Sequence, residues 1–149
     1  MEKNAEILND LIKVNGDRSK GYEKAAKETK DKDVDLRGLF REMADESRLY
    51  SDELERYIIS IGNSPIEGTT VYGDVYRAWM DVKATFTGKD RKAILASCEF
   101  GEDAAQRAYE RALKDSGLTP ETRSIIGDQK EALKRSHDKI KKLRDKQAA

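Results

Sequence analysis

Cysteine, histidine and proline are almost missing from this chain, whose 149 residues include one Cys, one His and two Pro. The lone Cys98 excludes an intramolecular disulfide and any thiolate metal cluster built within one chain. His137, in the stretch Lys-Arg-Ser-His-Asp-Lys-Ile, is the sole imidazole open to a metal or a catalytic group. Ser136 and Asp138 flank it but do not make a triad, because neighbours in sequence point to different faces of a helix. The phosphate-loop pattern Gly-x-x-x-x-Gly-Lys-Ser/Thr is absent. No apolar run of roughly 18 residues exists to cross a membrane. The opening Met-Glu-Lys-Asn-Ala-Glu-Ile lacks the basic and then apolar order of a secretion leader, so a cytoplasmic protein is expected. An excess of either charge is also lacking: Lys plus Arg and Asp plus Glu each number 29. The fourth helical stretch carries local basic residues, Lys130, Lys134, Arg135, Lys139, Lys141, Lys142, Arg144 and Lys146. With zero net charge and no nucleic-acid motif, neither nucleic acid nor an anionic membrane is an expected partner.

What the chain has is charge and helical rhythm. Charged residues make up 39% and hydrophobic ones 37%, and the scarcity of proline favours long amphipathic helices in a single domain, 1–149. The first stripe, over about 3–30, is Leu8, Leu11, Ile12, Tyr22, Ala25 and Ala26, with Asn15 and Ser19 in line at its middle. Gly16 and Gly21 point to close approach of a neighbouring helix or a local irregularity. The second stripe, over about 33–62, alternates at four and three through Leu36, Phe40, Met43, Ser47, Tyr50, Leu54, Tyr57 and Ile61. Gly62, Asn63 and Pro65 end it. A long connection follows, holding a short amphipathic helix with Tyr72, Val75, Tyr76, Trp79, Val82 and Phe86 along one side. The third long stripe runs from about 89 to 115 through Ile94, Leu95, Cys98, Ala105, Ala108, Tyr109 and Ala112. Thr119, Pro120 and Glu121 then form the cap, first position and dipole partner of a fourth helix. Its stripe is Ile126, Gln129, Leu133, Ser136, Ile140 and Leu143. Short turns near 31–32 and 117–118 predict two antiparallel hairpins. The long connection between them allows a crossover running the length of a bundle.

Polar residues with apolar helical neighbours are the candidates for chemistry. Glu102 is framed by Leu95, Cys98, Ala105 and Tyr109, and Glu46 by Leu39, Met43, Leu49 and Tyr50. Gln129 lies among Ile125, Ile126, Ala132 and Leu133, whereas His137 sits at the edge of its stripe. Counted from the turns at ~1.5 Å per residue, Ser19, Glu46, Glu102 and His137 all reach the midsection. An unpaired buried carboxylate is costly and a bound cation offsets that cost. Carboxylates joined by an imidazole suit iron, manganese or zinc.

Several segments carry a resemblance. They are Leu8-Asn9-Asp10-Leu11-Ile12, Lys20-Gly21-Tyr22, Arg77-Ala78-Trp79-Met80-Asp81, Thr87-Gly88-Lys89-Asp90, Cys98-Glu99-Phe100-Gly101-Glu102-Asp103, Tyr109-Glu110-Arg111-Ala112-Leu113 and His137-Asp138-Lys139-Ile140. Together they resemble a bacterial ferritin-like family catalogued as a domain of unknown function. The resemblance implies an all-α, ferritin-like four-helix bundle of two antiparallel hairpins joined by a long crossover containing a short helix. Di-iron members of that superfamily carry a Glu on each of two helices and Glu-x-x-His on each of the other two. Here Lys134 stands three before His137 and Leu49 three after Glu46, so both Glu-x-x-His motifs are missing and a standard ferroxidase centre is not expected. What the resemblance leaves is an incomplete metal site of Glu46, Glu99, Glu102 and His137, with a stress-related role by analogy alone. The alternative is a metal-free interaction protein. In that reading Tyr72, Tyr76, Trp79 and Phe86 either cover the core or form a face for a homo-oligomer or protein partner.

Overall fold

The computed structural model describes residues 2–63, 65, 72–85 and 90–147, and it is all-helical over them. Five helices follow in order: α1 (Glu2–Glu28), α2 (Val34–Ser60), α3 (Gly73–Thr85), α4 (Arg91–Leu113) and α5 (Pro120–Gln147), with one 3₁₀ turn at Asp31–Asp33 before α2. None of them is long and apolar enough to cross a membrane. Phe86 lies outside the described residues.

The ends of the helices follow local chemistry. Thr119 Oγ1 accepts from Thr122 N at 3.3 Å at the start of α5, and Asp90 Oδ1 accepts from Ala93 N at 2.8 Å at the start of α4. Both side chains satisfy an N–H that has no partner inside the helix. Helix α2 stops where Gly62 takes φ +83°. There the N–H groups of Gly62 and Asn63 return to the carbonyls of Ile59 and Ile58, a closure that favours glycine.

Side-chain contacts fix how the helices run. Between α1 and α4, Asn15 meets Tyr109 and Arg18 meets Glu102, while Asn4 near the start of α1 bonds Gly117 and Thr119 beyond the end of α4. One index falls as the other rises, so α1 and α4 are antiparallel. The same holds for α2 and α5, where Tyr57 meets Thr122, Glu53 meets Gln129 and Glu46 meets Ser136. With α1–α2 and α4–α5 each packed as hairpins, α2 and α4 run in the same direction. Helix α3 lies across α1 and α4, burying Val75, Ala78, Trp79 and Val82.

The core follows the stripes read from the sequence. Leu8, Leu11, Leu36, Leu54, Ile58, Leu95 and Ile126 are among its most enclosed side chains, each contributing roughly 1.5–3 kcal/mol through burial. Ile58 replaces Tyr57 as the buried residue near the end of α2, while Tyr50, Tyr57 and Ile61 pack half-buried against the core. Of the two glycines expected to mark a close approach, only Gly21 does so: a Cβ there would lie 2.6 Å from Trp79 Cε3, whereas at Gly16 it would meet open space.

Asp10, half-buried on α1, has its carboxyl pushed up to about 6 by burial and by the neighbouring charge of Glu6. A raised carboxyl pKa means that the folded chain holds the proton more tightly than the unfolded one. Stability from this group is therefore full below the ordinary carboxylate range and is lost as pH rises through about 6. Asp10→Asn is expected to stabilise at pH 7.5 by on the order of 1 kcal/mol, a figure reduced for solvent screening, and to have little effect at pH 4. Urea denaturation of both proteins at the two pH values checks this. An equal gain at pH 4 would rule out charge as the cause.

Candidate functional site

Arg18 is the centre of the interior polar layer. Its side chain is 0% exposed and faces Glu102, whose side chain is 1% exposed. The guanidinium donates through Nε to Glu102 Oε1 at 2.5 Å and through Nη2 to Oε2 at 3.1 Å. Nη1 donates to Ser47 Oγ at 2.8 Å and to the Met43 carbonyl at 3.2 Å. Glu46 Oε1 lies 3.1 Å from Nη2 and also accepts from Ser136 Oγ at 2.8 Å. Burial works against the charge on Arg18, but Glu102 alongside more than restores it and holds the guanidinium firmly protonated. Burial pushes the Glu102 carboxyl up while Arg18 pulls it back. An arginine that cannot shed its proton needs a counter-charge at this depth, so we take the pair as ionised.

The layer continues through all four long helices. Ser47 Oγ donates to Asn15 Oδ1 at 3.0 Å, and Asn15 Nδ2 donates to Tyr109 OH at 2.8 Å. The Tyr109 hydroxyl donates to Gln129 Oε1 at 2.7 Å, and Gln129 Nε2 reaches Glu53 at 2.7 Å. Arg18, Glu102, Ser47, Asn15, Tyr109 and Gln129 are each held by at least two polar contacts, a connected network of the kind that fixes register. Cys98 lies fully buried beside it. Burial and the charge of Glu102 hold its thiol well above the ordinary range, so it is a packed thiol rather than a nucleophile.

A second cluster lies at the seam of α4 and α5. Glu99 and Asp103 are one turn apart on α4, and both face His137 on α5. One ligand atom from each of the three falls within 4.8 Å of the others. His137 Nε2 is 2.6 Å from Asp103 Oδ1 and 3.9 Å from Glu99 Oε1, and the imidazole side chain is only 16% exposed. The short approach of Asp103 lies off the direction a ring N–H would take. Nε2 is thus buried without a well-formed hydrogen bond among the described residues. On the other side of the ring, Nδ1 lies 3.1 Å from Asp138 Oδ1. Burial lowers the proton affinity of the ring, but the carboxylates of Asp138 and Asp103 outweigh it and raise the pKa of His137. Arg144, two turns further along α5, donates from Nη1 to Glu99 Oε2 and also holds Asp145.

The four candidates from the sequence therefore fall in two places. Glu46 and Glu102 do reach one level, but they meet through Arg18, which supplies the positive charge that their burial requires. Glu46 sits at the margin, with its side chain 29% exposed and Leu49 beside it exposed. Glu99 and His137 come together elsewhere, with Asp103. In the aromatic segment Trp79 is buried, Tyr72 is half-buried and Tyr76 is exposed.

Two residues escape a search for acids and imidazoles on apolar stripes. Arg18 is fully in phase with Leu11, Val14, Tyr22 and Ala25 at minus seven, minus four, plus four and plus seven, which is the signal that marks it. Asp103 is marked only by its spacing of four from Glu99.

A family model described as "Domain of unknown function (DUF2383)" matches residues 3–115, so the chain belongs to that family. The matched span includes Arg18, Glu46, Glu99, Glu102 and Asp103 and ends before α5, which carries His137, Asp138 and Arg144. No curated protein matches the chain.

Proposed function

For this member of a family of unknown function, we propose a ferritin-like four-helix bundle that binds one divalent transition ion at the α4–α5 seam through Glu99, Asp103 and His137. The observation that carries the reading is the Nε2 atom of His137, buried against two carboxylates without an aligned partner while Nδ1 faces Asp138. A ligating imidazole ordinarily engages a carboxylate through its other nitrogen, which fixes the ring and raises its basicity. Carboxylates with one imidazole suit zinc, manganese or iron. At metal–ligand distances near ~2.1 Å, tetrahedral donors sit ~3.4 Å apart. The present 2.6 Å and 3.9 Å separations bracket that value, and rotations of the Asp103 and Glu99 side chains would even them out. The antiparallel pairing of α1 with α4 and of α2 with α5 supports the ferritin-like arrangement, because it calls for a crossover between α2 and α4.

The test is metal content after incubation with zinc, manganese or anaerobic ferrous iron and desalting, read by elemental mass spectrometry. Wild type is expected to retain about one ion per chain, His137→Ala at least roughly tenfold less, and Glu46→Gln as much as wild type. Wild type without retained metal, or His137→Ala with as much as wild type, would sink the reading. One observation favours a metal-free structural or interaction protein instead: Arg18 already neutralises the interior carboxylates.

A further inference from the structure

The two oxygens of Glu99 have different neighbours. Oε1 faces His137 at 3.9 Å, and Oε2 takes the Nη1 hydrogen bond of Arg144. The Glu99 side chain is 10% exposed, so water has little access to either oxygen. Arg144 is itself tethered by Asp145, through Nε at 3.2 Å and Nη2 at 2.8 Å, which leaves Nη1 aimed at Glu99. A carboxylate with one oxygen already engaged by a guanidinium offers a metal only the other. Hard ions such as calcium need six to eight oxygens and use bidentate carboxylates, whereas zinc and cobalt accept four ligands.

Resting on the metal reading above, we propose that Arg144 is a positioning residue that sets the selectivity of the seam. By holding Glu99 to a single free oxygen, it removes one possible donor and leaves the three that already face one another: Glu99 Oε1, Asp103 Oδ1 and His137 Nε2. Such a set suits a four-coordinate ion of the zinc class, with its fourth position left to water or a small exogenous ligand. Freeing Oε2 would let Glu99 close on the ion with both oxygens, raise the coordination number and admit larger, harder ions. The planar fork of arginine suits the role, since it can hold Asp145 and Glu99 at once.

The probe is Co²⁺, whose four-coordinate complexes absorb strongly in the visible range and whose six-coordinate complexes absorb weakly, followed by competition between Zn²⁺ and Mn²⁺. Wild type is expected to give the strong bands and to prefer zinc. Arg144→Gln is expected to weaken the bands and shift the Mn²⁺-to-Zn²⁺ affinity ratio roughly tenfold toward manganese. Arg144→Lys, which keeps a cation near Oε2, should restore part of the wild-type spectrum. Circular dichroism of each variant checks that α5 is intact. Cobalt bound by both proteins with identical spectra and identical ion preference would overturn the role of Arg144 and leave the metal site standing. Cobalt bound by neither would overturn the metal site itself.

Discussion

Arg18→Ala is expected to cost about 3–5 kcal/mol of unfolding free energy, because it strands a carboxylate in the interior. Glu102 would lose both guanidinium contacts at 1% side-chain exposure, and Ser47 and the Met43 carbonyl would lose their donor. Neither lysine nor glutamine repairs this. A single ammonium cannot reach both Glu102 oxygens and Ser47, and an amide leaves the charge uncompensated. Glu102→Gln should be milder, since Glu46 still stands 3.1 Å from the guanidinium as a counter-charge. Replacing both partners with apolar residues, Arg18→Met with Glu102→Leu, should recover most of the loss, because both fully buried charges are then gone and only Glu46, 29% exposed at its side chain, stays charged in the layer. Urea denaturation followed by circular dichroism at 222 nm gives the value for each of these five variants. A double variant no more stable than Arg18→Ala would mean that packing, rather than charge, holds this layer together.

The same pair shows why chemistry was harder to read from the sequence than architecture. Helix phase is a local property. Leu36, Phe40, Met43 and Leu54 are buried on the stripe that their spacing defines, and Thr119 caps where its residue type and the following Pro120 place it. The depth of Glu46 and Glu102 was equally legible, because residues counted from a turn measure height along a helix. What stands between two side chains at one height is not local. It depends on which long side chain of a third helix reaches across, and Arg18 does so from α1. Similarly, the pairing of Glu99 with His137 required knowing that α5 runs antiparallel to α4 at a register placing residue 137 beside residue 103. The α4–α5 turn fixes that register to within about one helical turn, too coarse to separate a ligand set from a solvated edge.

The second large effect is expected at Trp79, where α3 meets two glycines. A Cβ at Gly101 would lie 2.9, 2.9 and 3.0 Å from indole atoms Cε2, Cζ2 and Cδ2, and one at Gly21 2.6 Å from Cε3. The ring therefore lies against bare backbone of both α1 and α4, and also packs on Tyr22 with centroids 5.0 Å apart. Trp79→Ala should cost about 3–5 kcal/mol, since helices flanking the vacated volume relax only in part. Trp79→Phe should cost less, because it also deletes an indole N–H that has no hydrogen-bond partner among the described residues. Gly101→Ala in wild type should destabilise by about 1–3 kcal/mol through overpacking, despite the ~1 kcal/mol that alanine favours over glycine within a helix. In the Trp79→Ala background its sign should reverse: the obstacle is gone, and the helix preference plus partial filling of the cavity remain. The four proteins form a double-mutant cycle, read by urea denaturation, whose coupling should be about 2 kcal/mol or more, the wild-type loss and the gain in the Trp79→Ala background taken together. Zero coupling would mean that the indole can slide away from Gly101 at no cost, and that α3 is held by Val75, Ala78 and Val82 instead.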